Sequence, residues 1–113
     1  MIKTEYIYNA VITRVVDGDT VDASVDLGFT VHVDVRFRLN GINTQELRDS
    51  DPIKSEAAQK AKKFVIDMCL NRAVTLRSYK TDKYGRWLAD IYIDGVSINR
   101  RLLDENLAVV YKE

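Results

Sequence analysis

The 113-residue chain contains one cysteine, one histidine and one proline, and each scarcity removes a class of protein. A lone thiol, Cys69, can form neither an internal disulfide nor a cysteine-based metal cluster. Its place in an apolar helical stretch marks it as a buried structural residue. Hydrolytic triads and most proton shuttles use histidine, and the only one, His32, sits on the polar face of a strand pattern, far in sequence from any nucleophile. No G-x-x-x-x-G-K-[ST] or G-x-G-x-x-G loop is present, so nucleotide-cofactor chemistry has no support. One proline and few Gly/Ser clusters leave no linker, and there is no internal repeat or low-complexity tract, so residues 1–113 read as one domain. No apolar run approaches the ~18–20 residues of a membrane span. No apolar stretch follows Lys3, so the start does not read as a signal peptide, and the expectation is a cytoplasmic, monomeric protein.

What remains is an ordinary globular composition, 46% apolar and 30% charged. A net charge of zero conceals a segregation. Residues 1–53 carry five basic and nine acidic side chains, a balance of −4; residues 54–86 carry nine and three, a balance of +6; residues 87–113 carry three and five, a balance of −2. The acidic excess suits a cation site and the basic middle suits a polyanion, although the lysines at 60, 62 and 63 taken alone read rather as a solvated helix face.

Tyr6 to Val16 and Val21 to Val25 are rich in β-branched and aromatic residues, with Asp17-Gly18 as a turn between them. From Val31 to Leu39, apolar residues (31, 33, 35, 37, 39) alternate with polar ones, which predicts a strand with one core face and one face for solvent or a ligand. Arg38 falls on the second face, which frees it for a ligand. Residues 47–54 read as a loop. Ser55 then caps a helix that carries Ala57, Ala61, Phe64, Val65 and Met68 on one side and ends at Asn71. Val74 to Tyr79 and Arg86 to Ile93 are further strands, Asp94-Gly95 is a turn, Ser97 caps a short helix to about Glu105, and Leu107 to Tyr111 is extended. Five short strands, with a long helix after the third and a short one at the end, predict a β-rich α+β fold: a five-stranded OB-type barrel, closed because strands this short leave damaging edges.

By elimination, the chemistry left is that of carboxylate, arginine and metal. Three segments concentrate it: Asp17-Gly18-Asp19-Thr20, Arg38 to Glu46 (RLNGINTQE) and Thr81 to Arg86 (TDKYGR). Each alone is also a plausible turn or strand edge. Together they supply what phosphodiester hydrolysis needs: arginine forks to neutralise the phosphate and the extra transition-state charge, a glutamate to orient or deprotonate water, and oxygen donors for a hard cation.

On these three motifs, in this order and over nearly the whole chain, the sequence resembles the staphylococcal (micrococcal, thermonuclease-like) nuclease family, in its compact bacterial or bacteriophage branch. The run after Arg86, Leu88 to Ile91, continues the likeness. The resemblance implies an OB-fold barrel and a calcium-dependent cleavage of DNA or RNA, with other divalent cations as alternatives. It implies Asp19 as a calcium ligand, Asp17 as its support, the Thr44 carbonyl and position 43 as further ligands, Glu46 as the base, Arg38 and Arg86 on the scissile phosphate, and Lys83 and Tyr84 on the nucleotide. Asn43 departs from the pattern, since the best-known members carry an aspartate there, and the ligand set is thereby one charge short. Gln45 replaces a proline, and Tyr111 is the sole tyrosine near a position where the family has a nucleotide-contacting pair. The competing expectation is a non-catalytic OB-type module that binds nucleic acid or protein; retention of Arg38, Glu46 and Arg86 argues against it.

Overall fold

The β-branched run at the start of the chain forms β1 (Ile7–Asp17), which turns at Gly18 into β2 (Thr20–Asp26) and continues to β3 (His32–Leu39) in a computed structural model that describes residues 6–46, 50–79 and 81–111. Two bulges interrupt β1. Ile12 pairs with Ala23 but Arg14 with Asp22, and Val15 pairs with Val21 but Asp17 with Thr20, so β1 carries an extra residue at each step. The first bulge resets the alternation, which lets Ile12 and Val15, three residues apart, both face the core.

A two-residue strand, β4 (Ile42–Asn43), leads toward the long helix α1 (Pro52–Cys69). The helix starts one turn earlier than Ser55. Its cap is Asp51, whose side chain accepts from the Ile53 N–H, with Pro52 in the first turn. Aspartate followed by proline is a start signal, because proline lacks a donor that the first turn leaves unpaired anyway. Part of the expected 47–54 loop is therefore helix, and residues 47–49 lie outside the described residues. The buried stripe is Ala58, Ala61, Val65 and Cys69. Burial pushes the Cys69 thiol up to about 11, so it stays an unreactive apolar group. Asn71, at φ +59°, turns the chain out of the helix.

β5 (Ala73–Tyr79) pairs with β1, and β6 (Trp87–Ile93) pairs with β5. The barrel closes where β6 lies parallel to the end of β3, with Phe37 opposite Trp87, Arg38 opposite Leu88 and Leu39 opposite Ala89. The five barrel strands and the helix between the third and fourth are the OB arrangement predicted from the sequence. After the Asp94-Gly95 turn, β7 (Val96–Ser97) folds back and pairs antiparallel with the end of β6. Ser97 caps α2 (Ile98–Asp104) by accepting from the Arg100 N–H, and Ile98 and Leu102 are fully buried on its inner face. Asn99 ties this helix to the barrel seam: its side-chain amide donates to the Asn40 and Ala89 carbonyls, and its Oδ1 accepts from the Ile91 N–H. β8 (Val109–Val110) then pairs with β4, and the Tyr111 N–H donates to the Gly41 carbonyl.

Gly18 is held by space rather than by backbone angle. A Cβ there would lie 2.8 Å from the Ala61 Cβ of α1 and 3.0 Å from Thr44 Oγ1. Both neighbours are fixed by buried packing. Gly18→Ala is therefore expected to lower stability by about 1–3 kcal/mol, as overpacking does, measured by chemical denaturation.

One apolar face is not covered as the alternation predicts. Phe37 and Leu39 are buried, but Val31 and Val33 at the other end of the same face are about half exposed. β6 pairs with β3 only along residues 37–39, so the barrel stays open beyond them.

Candidate active site

A turn, a strand end and a loop converge on one side of the barrel. The β1–β2 turn carries Asp17 and Asp19. The register of β3, with Thr20 opposite Arg38 on one side and Leu88 on the other, sets Arg38 between that turn and the start of β6. The β5–β6 loop brings Tyr84 and Arg86. The result is a cavity of about 550 Å³ lined by Asp17, Asp19, Arg38, Asn43, Glu46, Tyr84, Arg86 and Tyr111. Thr44 lies beside it, in a neighbouring cleft of about 730 Å³ that Asn43 and Glu46 share. Lys83 is exposed and lines neither; its ammonium sits 5.2 Å from the Tyr84 ring.

The acidic side is held by backbone amides. Asp19 is buried; its Oδ2 accepts from the Thr44 N–H at 3.2 Å and its Oδ1 from the Thr20 hydroxyl at 3.1 Å. Asp17 Oδ1 accepts from the Gly18 N–H at 2.9 Å. Burial raises the Asp17 carboxyl above its ordinary 3.8; Asp19 and Glu46 add repulsion, which together outweigh the Gly18 hydrogen bond and Lys62. Thr44 Oγ1 is buried without a partner among the described residues.

The two arginines differ. Arg38 is not free, contrary to the strand alternation. Its side chain is 7% exposed and lies 3.8 Å from Asp19 Oδ2. It donates to Asn43 Oδ1 at 3.0 Å and to the Leu39 carbonyl at 3.4 Å, and its guanidinium lies 4.8 Å from the centre of the Tyr111 ring. Alternation along β3 does put it opposite Phe37 and Leu39, but the β8 segment and Asn43 then close over it. Arg86 is 46% exposed. Its Nε donates to Asp82 Oδ2 at 2.7 Å, its guanidinium lies 5.1 Å from the centre of the Tyr84 ring, and it lines the cavity.

Asp82 and Asn99 are the residues that sequence reasoning passed over. Asp82 is buried inside the TDKYGR loop, where Oδ1 accepts the N–H groups of Tyr84 and Arg86, both at 2.9 Å. An aspartate opening a turn three residues before a glycine was the available signal. Burial alone would raise its carboxyl, but the Arg86 and Tyr84 amides and the Arg86 guanidinium outweigh burial and hold it below the ordinary 3.8. Because the folded value is depressed, this stabilisation is present above pH 3.8 and is lost as pH falls below it. Asp82→Asn keeps an oxygen for the two amides and removes the ion pair. It is expected to lower the thermal midpoint at pH 7, with the gap from wild type closing as the pH drops below about 4.

Among the described residues, no three His, Cys, Asp or Glu side chains converge closely enough to hold a metal. The donors lining the cavity are all oxygens, from Asp17, Asp19, Asn43 and Glu46, and that donor chemistry fits a hard cation such as calcium.

An OB-type barrel with two arginines facing several carboxylates across one cleft defines a class of protein suited to binding phosphate esters. More particularly, the chain belongs to the staphylococcal nuclease homologue family, whose model matches residues 36–113. That stretch holds the Arg38–Glu46 and Thr81–Arg86 segments; the Asp17–Thr20 turn precedes it. The chain is 35% identical over 104 residues to the SPbeta prophage-derived endonuclease YokF of Bacillus subtilis, covering 88% of this chain and 33% of that protein. It is 31% identical over 106 residues to endonuclease YncB of the same organism, covering 90% and 47%. It is 33% identical over 76 residues to the probable staphylococcal-like nuclease CAN1 of Oryza sativa, covering 67% and 21%. The chain thus spans between a fifth and a half of the length of these relatives.

Proposed function

We propose that this protein is a calcium-dependent nuclease that hydrolyses phosphodiester bonds of DNA or RNA at the Arg38–Arg86 cleft. The observation that carries the reading is the meeting of three sequence-distant segments in one cavity, where two guanidinium groups face the carboxylates of Asp17, Asp19 and Glu46. Arg86, braced by Asp82, offers its free edge to a phosphate oxygen. Arg38 leaves Asn43 for the phosphate and adds the second fork, so that charge gathering on the phosphoryl oxygens is met from two sides. Glu46, exposed on the rim of the same cavity, takes the proton of the attacking water or orients it. Asp19 and Asn43, with Asp17 in support and the carbonyl of Thr44 beside them, would hold the cation. When bound, the cation would supply electrostatic stabilisation of the phosphate. Lys83 and Tyr84 contact the nucleotide next to the phosphate.

The test is incubation of the purified protein with single- and double-stranded DNA and RNA in calcium, magnesium, manganese or EDTA. Cation-dependent cleavage with 3′-phosphate ends is the expected result. Binding without cleavage in every cation would replace the enzyme with a nucleic-acid-binding module.

A further inference from the structure

The open end of the barrel forms a second cavity, of about 580 Å³, within the range of small-ligand sites. Tyr6, Tyr8, Phe37, Tyr79 and Trp87 line it with Val33 and Val35 of β3, and no charged side chain lines it among the described residues. Trp87 is 49% exposed and Tyr6 58%. Half-exposed aromatic rings around an apolar groove call for a ligand. The groove is one residue from the phosphate-facing arginines on both strands of the seam: Arg86 precedes Trp87 at the start of β6, and Phe37 precedes Arg38 on β3, where Phe37 and Trp87 are paired opposite each other. In each pair the arginine lines the catalytic cleft and the aromatic lines the groove.

We propose that this groove is a nucleobase site: it takes, by stacking, an unpaired base of the same single strand whose phosphate lies on Arg38 and Arg86. The inference rests on the proposed nuclease reading. A chain of phosphates needs cations and a base needs flat, uncharged faces, and the seam supplies the two at successive residues, one to each face of its strands. Every base has a π-face, so the site is tolerant of sequence; it requires a strand that is unpaired at this position.

Trp87 is the sole tryptophan, so intrinsic emission reports on the groove directly. The protein is titrated in EDTA, where no cleavage competes, with octathymidylate and with an abasic octamer of equal charge; binding of each is followed by anisotropy of a terminal label. The expected result is a saturable change in Trp87 emission with octathymidylate and none with the abasic strand. Trp87→Ala weakens octathymidylate about tenfold, a stacking-sized loss, without weakening the abasic strand, and Trp87→Phe retains most of the affinity. Binding of octathymidylate with unchanged emission overturns the base site and leaves the nuclease reading intact. Absence of octathymidylate binding overturns the base site, and cleavage in the cation assay then decides the nuclease reading separately. An emission change that follows protein concentration alone assigns the groove to a second copy of the chain.

Discussion

Arg86→Ala and Arg38→Met will each lower kcat/KM for nucleic-acid cleavage by about 10³, the scale of an arginine that meets transition-state charge on a phosphoryl group, yet only the change at Arg38 will alter the proposed cation donors before substrate arrives. The asymmetry follows from what each guanidinium touches. Arg86 reaches Asp82 through Nε and is 46% exposed, so its removal unpairs the buried Asp82 carboxylate and lowers stability but touches none of the proposed cation donors. Arg38 is nearly buried and engages Asn43 directly, with Asp19 Oδ2 at 3.8 Å. It therefore occupies two of the proposed cation donors and places a positive charge beside them. Arg38→Met removes that competitor while filling its volume, so calcium will bind more tightly than to wild type. The same change leaves the buried Asp19 carboxylate without its cation neighbour. The variant will accordingly melt lower than wild type in EDTA and recover in calcium. Steady-state kinetics, calorimetric titration and paired melting curves check the three parts. Equal calcium affinity in wild type and Arg38→Met would show that Arg38 does not compete at the cation donors.

Asn43→Asp will tighten calcium binding by about tenfold. A unit charge about 4 Å from a divalent ion is worth about 2 kcal/mol even at the dielectric of water, or roughly 30-fold in affinity. Part of this is offset because the new carboxylate will also pair with Arg38, which already donates to position 43 at 3.0 Å. The double variant Asn43→Asp, Arg38→Met will therefore gain more than either single change. Titration calorimetry measures all four proteins, and unchanged affinity in Asn43→Asp would remove Asn43 from the ligand set.

Much of the fold was legible because the chain's local signals agree with its tertiary structure. The alternation along β3, the Asp94-Gly95 turn, the Ser97 cap and the long helix after the third strand all reflect local physics that the barrel does not override. The errors came from competing local signals. Proline 52 reads as a breaker when isolated, but after Asp51 it opens a helix. The bulges of β1 are invisible to a period-two pattern because they are set by its partner, not by its own residues. The three site segments were recognisable by residue type and spacing, and their meeting in one cavity follows from the seam between β3 and β6. The engagement of Arg38 with Asn43 and Tyr111 was not legible, since it depends on β8 returning across β4 from the far end of the chain. Nor was the open groove: alternation says which face of β3 is apolar, while the three-residue length of the seam decides how much of that face is covered.

In the proposed mechanism a cation, two arginines and Glu46 act together on one phosphodiester. The most direct measurement is a cleavage time course on one labelled single strand, with wild type and Glu46→Gln side by side, each in calcium and in EDTA. Wild type is expected to cleave in calcium and not in EDTA, and Glu46→Gln to lose about 10²–10⁴ in rate, the range of a general base. Wild type cleaving equally well in EDTA, or Glu46→Gln cleaving like wild type in calcium, would contradict it.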